Sequence, residues 1–143
     1  MRIFVDANIV VSVLNKEYPL FTYTSRILSL ADFKQFEVFT SPVCLAIAFY
    51  FAEKKFKASI AKQKISILCD NIRIADTTET SVKNTLQNSA VKDFEDGLEY
   101  YAALGSNCDC IVTEDVHDFY FSNIEVLRSK EFFLKYLSGR KHL

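Results

Sequence analysis

The sequence predicts an α/β fold, a three-layer αβα sandwich around a central parallel sheet of four to five short strands. Short runs of β-branched and aromatic residues alternate with longer stretches of helical periodicity, as βα units require. The opening run Ile3-Phe4-Val5 is apolar throughout, as a strand buried on both faces is. The composition then supplies a core: half of the 143 residues are hydrophobic, with 13 Phe and 7 Tyr against 3 Gly and 2 Pro. A chain of this length is expected to form one domain over residues 1–143 and to bury about two-thirds of its unfolded surface.

In chain order, MRIFVDANIVVSVL reads as a strand ending at Asp6, an acidic turn with Asn8, and a buried helix carrying Ile9, Val10, Val11, Val13 and Leu14. Lys16–Pro19 is a polar break. Phe21, Ile27, Leu28 and Ala31 recur near helical spacing, and Phe36–Thr40 alternates as a short strand. Ser41-Pro42 is an N-cap followed by proline at the first helical position. The helix it opens, Val43 to Lys55, is apolar nearly all round and is expected to be deeply buried. Ala61, Ile65 and Leu68 mark the next helix, and Ile72–Ala75 a short strand. Thr78–Gln87 is a polar helix. Asp93–Leu104 is a strong one with Phe94, Leu98 and Tyr101 on its buried face, and Gly97 leaves space for a close approach. Cys110–Thr113 and Ile124–Leu127 are the last strands, and Ser129 is placed to cap a terminal helix bearing Phe133, Tyr136 and Leu137.

Composition excludes several classes. A net charge of −1 gives no global basic signal for nucleic acid. No apolar run approaches the roughly 20 residues of a membrane span, and the N-terminus lacks a signal-peptide layout. Cys44, Cys69, Cys108 and Cys110 form no CxxC pair and sit among apolar neighbours, so they read as reduced core thiols of a cytoplasmic protein.

The acids fall in a pattern. Asp6 follows the first strand, Thr113-Glu114-Asp115 follows the fourth, and Asp93 and Asp96 share a face at the start of a helix. Each taken singly also fits a cap or a turn. Crossover geometry, however, brings strand ends and helix starts together. Carboxylates crowded there repel unless protonated or bridged by a cation. Hard oxygen donors without a Cys/His cluster select Mg²⁺ or Mn²⁺. Asn8 and the Thr113 hydroxyl are placed to hold an acid or a metal-bound water.

The segments IFVDANIVV, SPVCLA, DFEDGLEYYAAL and IVTEDVHDF, followed by IEVL and a helix, together resemble the PIN domain, the nuclease fold of VapC-type toxins, over essentially the whole chain. The resemblance implies a PIN-like sandwich and a Mg²⁺-dependent endoribonuclease, the toxin of a toxin–antitoxin pair. Its site residues carry over as Asp6, Asp96 (with Asp93 nearby) and Asp115, with Asp118 as a further candidate. Implied partners are an RNA substrate, a small antitoxin packing a segment into an apolar groove, and a second copy in a homodimer. At position 47 the family has Glu where this chain has Ile47, and Glu53 lies on another face of that helix. An alternative is therefore a catalytically weakened PIN-fold module that binds RNA or protein. A receiver-like domain would use Asp76 and a lysine after the last strand, but the first lysine there is in Ser129-Lys130, which fits a helix cap better. Metal-free cleavage would need two placed histidines; of the two in the chain, His117 reads as a loop residue and His142 falls in a tail expected to fray. Lys54, Lys55 and Lys57 are the candidate phosphate contacts.

Overall fold

The computed structural model describes residues 1–140. Five strands, β1 Arg2–Val5, β2 Glu37–Thr40, β3 Arg73–Ile74, β4 Cys110–Val112 and β5 Glu125–Leu127, form one sheet in the order β3-β2-β1-β4-β5. Every pairing is parallel, with Phe4 opposite Phe39 on one side and Ile111 on the other. The flanking helices are α1 Ala7–Leu14, α2 Phe21–Ser29, α3 Pro42–Lys55, α4 Ala58–Asn71, α5 Glu79–Gln87, α6 Phe94–Gly105 and α7 Ser129–Phe132. The last continues into a π turn, Phe133–Leu137.

Alternation of side chains along β1 divides the core in two. Ile3 and Val5 pack with Ile9 and Val10 of α1, Ile27 of α2, Ala61 of α4 and Phe132 of α7. Phe4 points the other way, into Tyr100, Ala102 and Ala103 of α6 with Ile111 and Phe119. The chain runs outward from β1 through β2 to β3, then returns to β4 on the other flank of β1. That reversal is a topological switch point, which opens a crevice at the carboxyl ends of β1 and β4.

Three expectations are corrected. α3 is not buried all round: Cys44, Ala48 and Ala52 form its buried stripe, while Tyr50 and Phe51 are 56% and 45% exposed. A helix apolar on every side carries no direction in its sequence, and its small residues supply the face that lies closest to the rest of the protein. Phe94 is exposed at the start of α6, whose buried residues are Gly97, Leu98, Glu99, Tyr100, Ala102 and Ala103. α6 lies between the sheet on one side and α5 on the other, so it buries a wider arc than one apolar stripe. Ser129 does not cap α7 but is its first residue, and its backbone N–H donates to Glu114 Oε1 at 3.1 Å.

Other local features match the sequence. Ser41 Oγ accepts the Cys44 N–H at 3.2 Å with Pro42 at the first helical position. The polar helix α5 is in addition capped by Thr78. All four cysteines are free, and Cys44, Cys108 and Cys110 are buried, whereas Cys69 is half-buried on α4 rather than a core thiol. Lys55 is engaged structurally, donating to Asn15 O at 2.6 Å just beyond the end of α1.

Gly97 lets α6 approach α5 closely. A Cβ there would come within 2.3 Å of Thr85 Cγ2 and 2.7 Å of Val91 Cγ1. Overpacking of this kind costs about 1–3 kcal/mol, against a helix-propensity gain of at most ~1 kcal/mol for alanine. Gly97→Ala is expected to lower the urea midpoint. Adding Thr85→Ser, which removes Cγ2 and keeps the hydroxyl bond to Ser81 O, should recover part of that loss.

Candidate functional site

Asp6 ends β1 and starts α1. Its N–H donates to Val112 O at 3.0 Å, which ties it to β4. Its Oδ1 accepts the Ala7 N–H at 2.6 Å, and its Oδ2 accepts the Thr113 hydroxyl at 2.7 Å. The Asn8 amide bridges the two strand ends. Nδ2 lies 3.1 Å from Thr113 Oγ1, 3.2 Å from Asp115 Oδ2 and 3.4 Å from Asp6 Oδ2, while Oδ1 accepts the Glu114 N–H at 3.2 Å. Thr113, fully buried, also accepts the Asp115 N–H at 3.0 Å. Asn8 and Thr113 thus hold the acids of β1 and β4 in one frame.

The third wall is α6. Asp93 is its N-cap, accepting the Asp96 N–H at 3.3 Å. Asp93, Asp96 and Glu99 follow at a spacing of three and lie along one side of the helix. Glu99 is the deepest, at 2% exposure. Its carboxylate, an Asp6 oxygen and the Cys44 sulfur lie within 4.8 Å of one another. Glu99 Oε2 is buried with no hydrogen-bond partner among the described residues.

Together these walls enclose a cleft of ≈ 490 Å³. Asp6, Glu17, Asp93, Glu95, Asp96, Glu99, Glu114, Asp115 and Asp118 line it, nine carboxylates with no basic residue among the lining groups. The crowding appears in the protonation equilibria. Burial, then the neighbouring Asp93 and Asp118, push Asp96 up to about 7. Burial and the adjacent Asp6 push Glu99 up to about 11. Asp118 is raised by desolvation and by Asp115. Burial raises the Cys44 thiol well above its ordinary value, with Glu99 and Asp6 adding to it, so it stays a neutral thiol rather than a thiolate ligand. The donors on offer are therefore oxygens, a set suited to a hard divalent cation.

Of the residues picked from sequence, Asp6, Asn8, Asp93, Asp96, Asp115 and Asp118 all line this cleft, and Thr113 supports Asp6 from behind. Ile47 lines it too, whereas Glu53 is exposed elsewhere on α3. Glu99 is not among the residues the sequence picks out, because Phe94, Leu98 and Tyr101 mark the apolar face of the helix. The signal was present in Asp93-x-x-Asp96-x-x-Glu99, a run of acids at helical spacing. Cys44 is buried as expected, but against two acids rather than in wholly apolar surroundings. His117 is exposed on the turn Val116–Phe119, and His142 lies outside the described residues.

Fold and cleft define an open parallel α/β protein whose acids converge at the switch point of its sheet. The chain belongs to the PIN domain family, which it matches over residues 2–117. It is 26% identical over 138 residues, 92% of either chain, to Ribonuclease VapC1 of Aquifex aeolicus (strain VF5). Its fold is similar to that in VapBC-1 from nontypeable Haemophilus influenzae, with a TM-score of 0.70 at 14% identity over 91% of this chain and 99% of that one. It is likewise similar to VapC20 of Mycobacterium tuberculosis, described as a Sarcin-Ricin loop cleaving toxin, with a TM-score of 0.64 at 16% identity over 86% of this chain and 98% of that one.

The raised carboxyls set a pH dependence. A carboxyl whose folded pKa lies above its unfolded value binds its proton more tightly when folded. Its contribution is complete below the unfolded pKa and is lost as pH rises through the folded one. For Asp96 that window runs from 3.8 to about 7, and for Glu99 from 4.5 to about 11. Glu37 and Glu125, lowered from 4.5 by Arg73 and Lys135 respectively, act in the opposite sense, and their contribution is complete above pH 4.5. In EDTA, the urea midpoint is therefore expected to fall from about pH 5 to pH 9, with a shallower fall in Glu99→Gln.

Proposed function

We propose that this protein is a divalent-metal-dependent endoribonuclease and the toxin of a toxin–antitoxin pair. The observation that carries the proposal is a cleft of nine carboxylates without a basic lining residue, at the switch point of a PIN fold. Such a surface repels a polyanion, so RNA can approach the acids only if cations intervene. The names of the relatives support the activity and the pairing: one is a ribonuclease, another a toxin that cleaves the Sarcin-Ricin loop, and a third is a VapBC complex.

Asp6, Asp96 and Asp115 would hold Mg²⁺ or Mn²⁺, with Asp93 beside them and Asp118 at the rim. The bound cation would supply Lewis acidity toward a phosphodiester oxygen and lower the pKa of an attacking water. The protein's own contribution is orientation and charge. Thr113 and Asn8 fix the Asp6 and Asp115 oxygens before any ligand arrives, which limits the reorganisation cost of binding. Asp96, raised to about 7, gives up its proton when a cation binds, so metal affinity rises with pH across the neutral range. Exposed Lys54 and Lys57 beyond the cleft are available to phosphate groups.

A groove of ≈ 510 Å³ between α1, α2 and α4, lined by Val13, Leu14, Phe21, Leu28, Ile67 and Leu68, suits an apolar antitoxin segment. Exposed Tyr50 and Phe51 on α3 suit a second copy of the chain. The four free thiols fit a reducing compartment, the cytoplasm.

Ile47 in the cleft favours a second reading, a PIN fold that binds RNA or protein without cleaving it. Titration calorimetry with Mg²⁺ and Mn²⁺, paired with cleavage of a labelled RNA panel, separates the two. The expected result is saturable metal binding and metal-dependent cleavage by the parent, both lost in Asp6→Asn. Thr113→Val should weaken the metal about 10- to 100-fold while leaving the fold intact, as loss of a supporting hydrogen bond does. A parent that binds RNA but takes up no metal would establish the second reading.

A further inference from the structure

We infer that Glu99 is the deep carboxylate ligand of this metal site, reaching from α6 into the place that the α3 side of the cleft leaves apolar. The inference rests on the metal-binding reading above and adds a residue to it.

Three observations on Glu99 and its surroundings converge. Glu99 is a carboxyl at 2% exposure whose Oε2 has no partner among the described residues. A buried polar oxygen without a hydrogen bond is costly, and native proteins retain one chiefly where a ligand, ion or water completes it. Its neighbours within bonding reach are Cys44 and the acid Asp6, which satisfies Glu99 only by sharing a proton that a bound cation would displace. Among the described residues no cation lines the cleft, and the Cys44 thiol is a weak donor at best. Glu99 is also aimed at Asp6: their ligand atoms and the Cys44 sulfur fall within 4.8 Å of one another, a separation that a single ion between the two carboxylates can span.

The opposite wall explains why the ligand comes from α6. Ile47 follows Cys44 by one turn of α3 and faces the same cleft, where it offers only hydrocarbon. Glu99 follows Asp96 by one turn of α6, so both carboxylates approach the ion from one rigid helix. Position 47 and position 99 thus face one volume from two sides, and one carboxylate there serves the ion. The departure at position 47 therefore leaves the number of carboxylates around the cation unchanged and moves one of them across the cleft.

The test is Mn²⁺ and Mg²⁺ affinity by titration calorimetry, with the metal-induced rise in Tm as a second readout, on the full chain. Glu99→Gln, which keeps shape and removes charge, is expected to lose at least ~10-fold in Mn²⁺ affinity and most of the Tm rise, while its Tm in EDTA is at or above that of the parent. Cys44→Ala should bind Mn²⁺ as the parent does. Ile47→Glu/Glu99→Gln, with the carboxylate returned to α3, should recover affinity to within about threefold of the parent. Glu99→Asp, which withdraws the carboxylate by one methylene, should fall between parent and Glu99→Gln and serves if the glutamine variant does not fold. Parent-like affinity in Glu99→Gln, with affinity lost in Asp6→Asn, would overturn the role of Glu99 while leaving the metal site standing. A parent that binds neither cation would overturn the metal site itself, and the inference with it.

Discussion

The parallel pairing of β1 with β4 is the contact on which the site depends. Val5 lies opposite Val112, and the Asp6 N–H bonds to Val112 O, so the next residues on each strand leave the sheet side by side. The chain separates those strands by more than a hundred residues, yet the pairing brings Asp6 and Asp115 close enough for one asparagine side chain to bond both. Every other acid of the cleft is added around that pair. The apolar core above and below β1 holds the pair in register, since Ile3, Phe4 and Val5 are all fully buried and a slip by one residue would exchange their faces.

Charge crowding is the second organising feature. Carboxylates at one locus without basic partners oppose folding at neutral pH, and the protein carries that cost at the switch point of its sheet. Asp96 and Glu99 respond by holding protons, while Asp6 is supported by a backbone N–H and a hydroxyl. Elsewhere the charges follow the ordinary pattern: Glu37 pairs with Arg2 and Arg73, and Glu125 pairs with Lys135. The contrast sets the cleft apart from the rest of the surface, and perturbed carboxyls gathered in a cleft are the electrostatic basis of the proposed metal site.

α6 connects these two features. Its outer side is locked to α5 where Gly97 meets Thr85, and its inner side lays Tyr100, Ala102 and Ala103 against the sheet. A helix held on both sides has little freedom to rotate, so Asp96 and Glu99 keep their aim at β1. The outer side of α3, with Tyr50 and Phe51 exposed, forms an apolar rim beside the same cleft, and Phe51 belongs to both.

By itself the sequence determined the strand at Ile3–Val5, the acid at its end, the Asn two residues on, the cap at Ser41, and the acids after the fourth strand and at the start of α6. These are local features: a buried run must stop where a carboxylate begins, and a cap is decided by its own few residues. The tertiary structure alone decided which side of each helix faces inward. α3 is apolar all round and α6 is enclosed by two neighbours, so periodicity could not place Phe51 outside or Glu99 inside. The direction of a helix face is set by what packs against it, and that is a property of distant residues. Glu99 was missed for this reason, since a buried acid contradicts its own local chemistry and is tolerated only because the rest of the fold brings Asp6 to meet it.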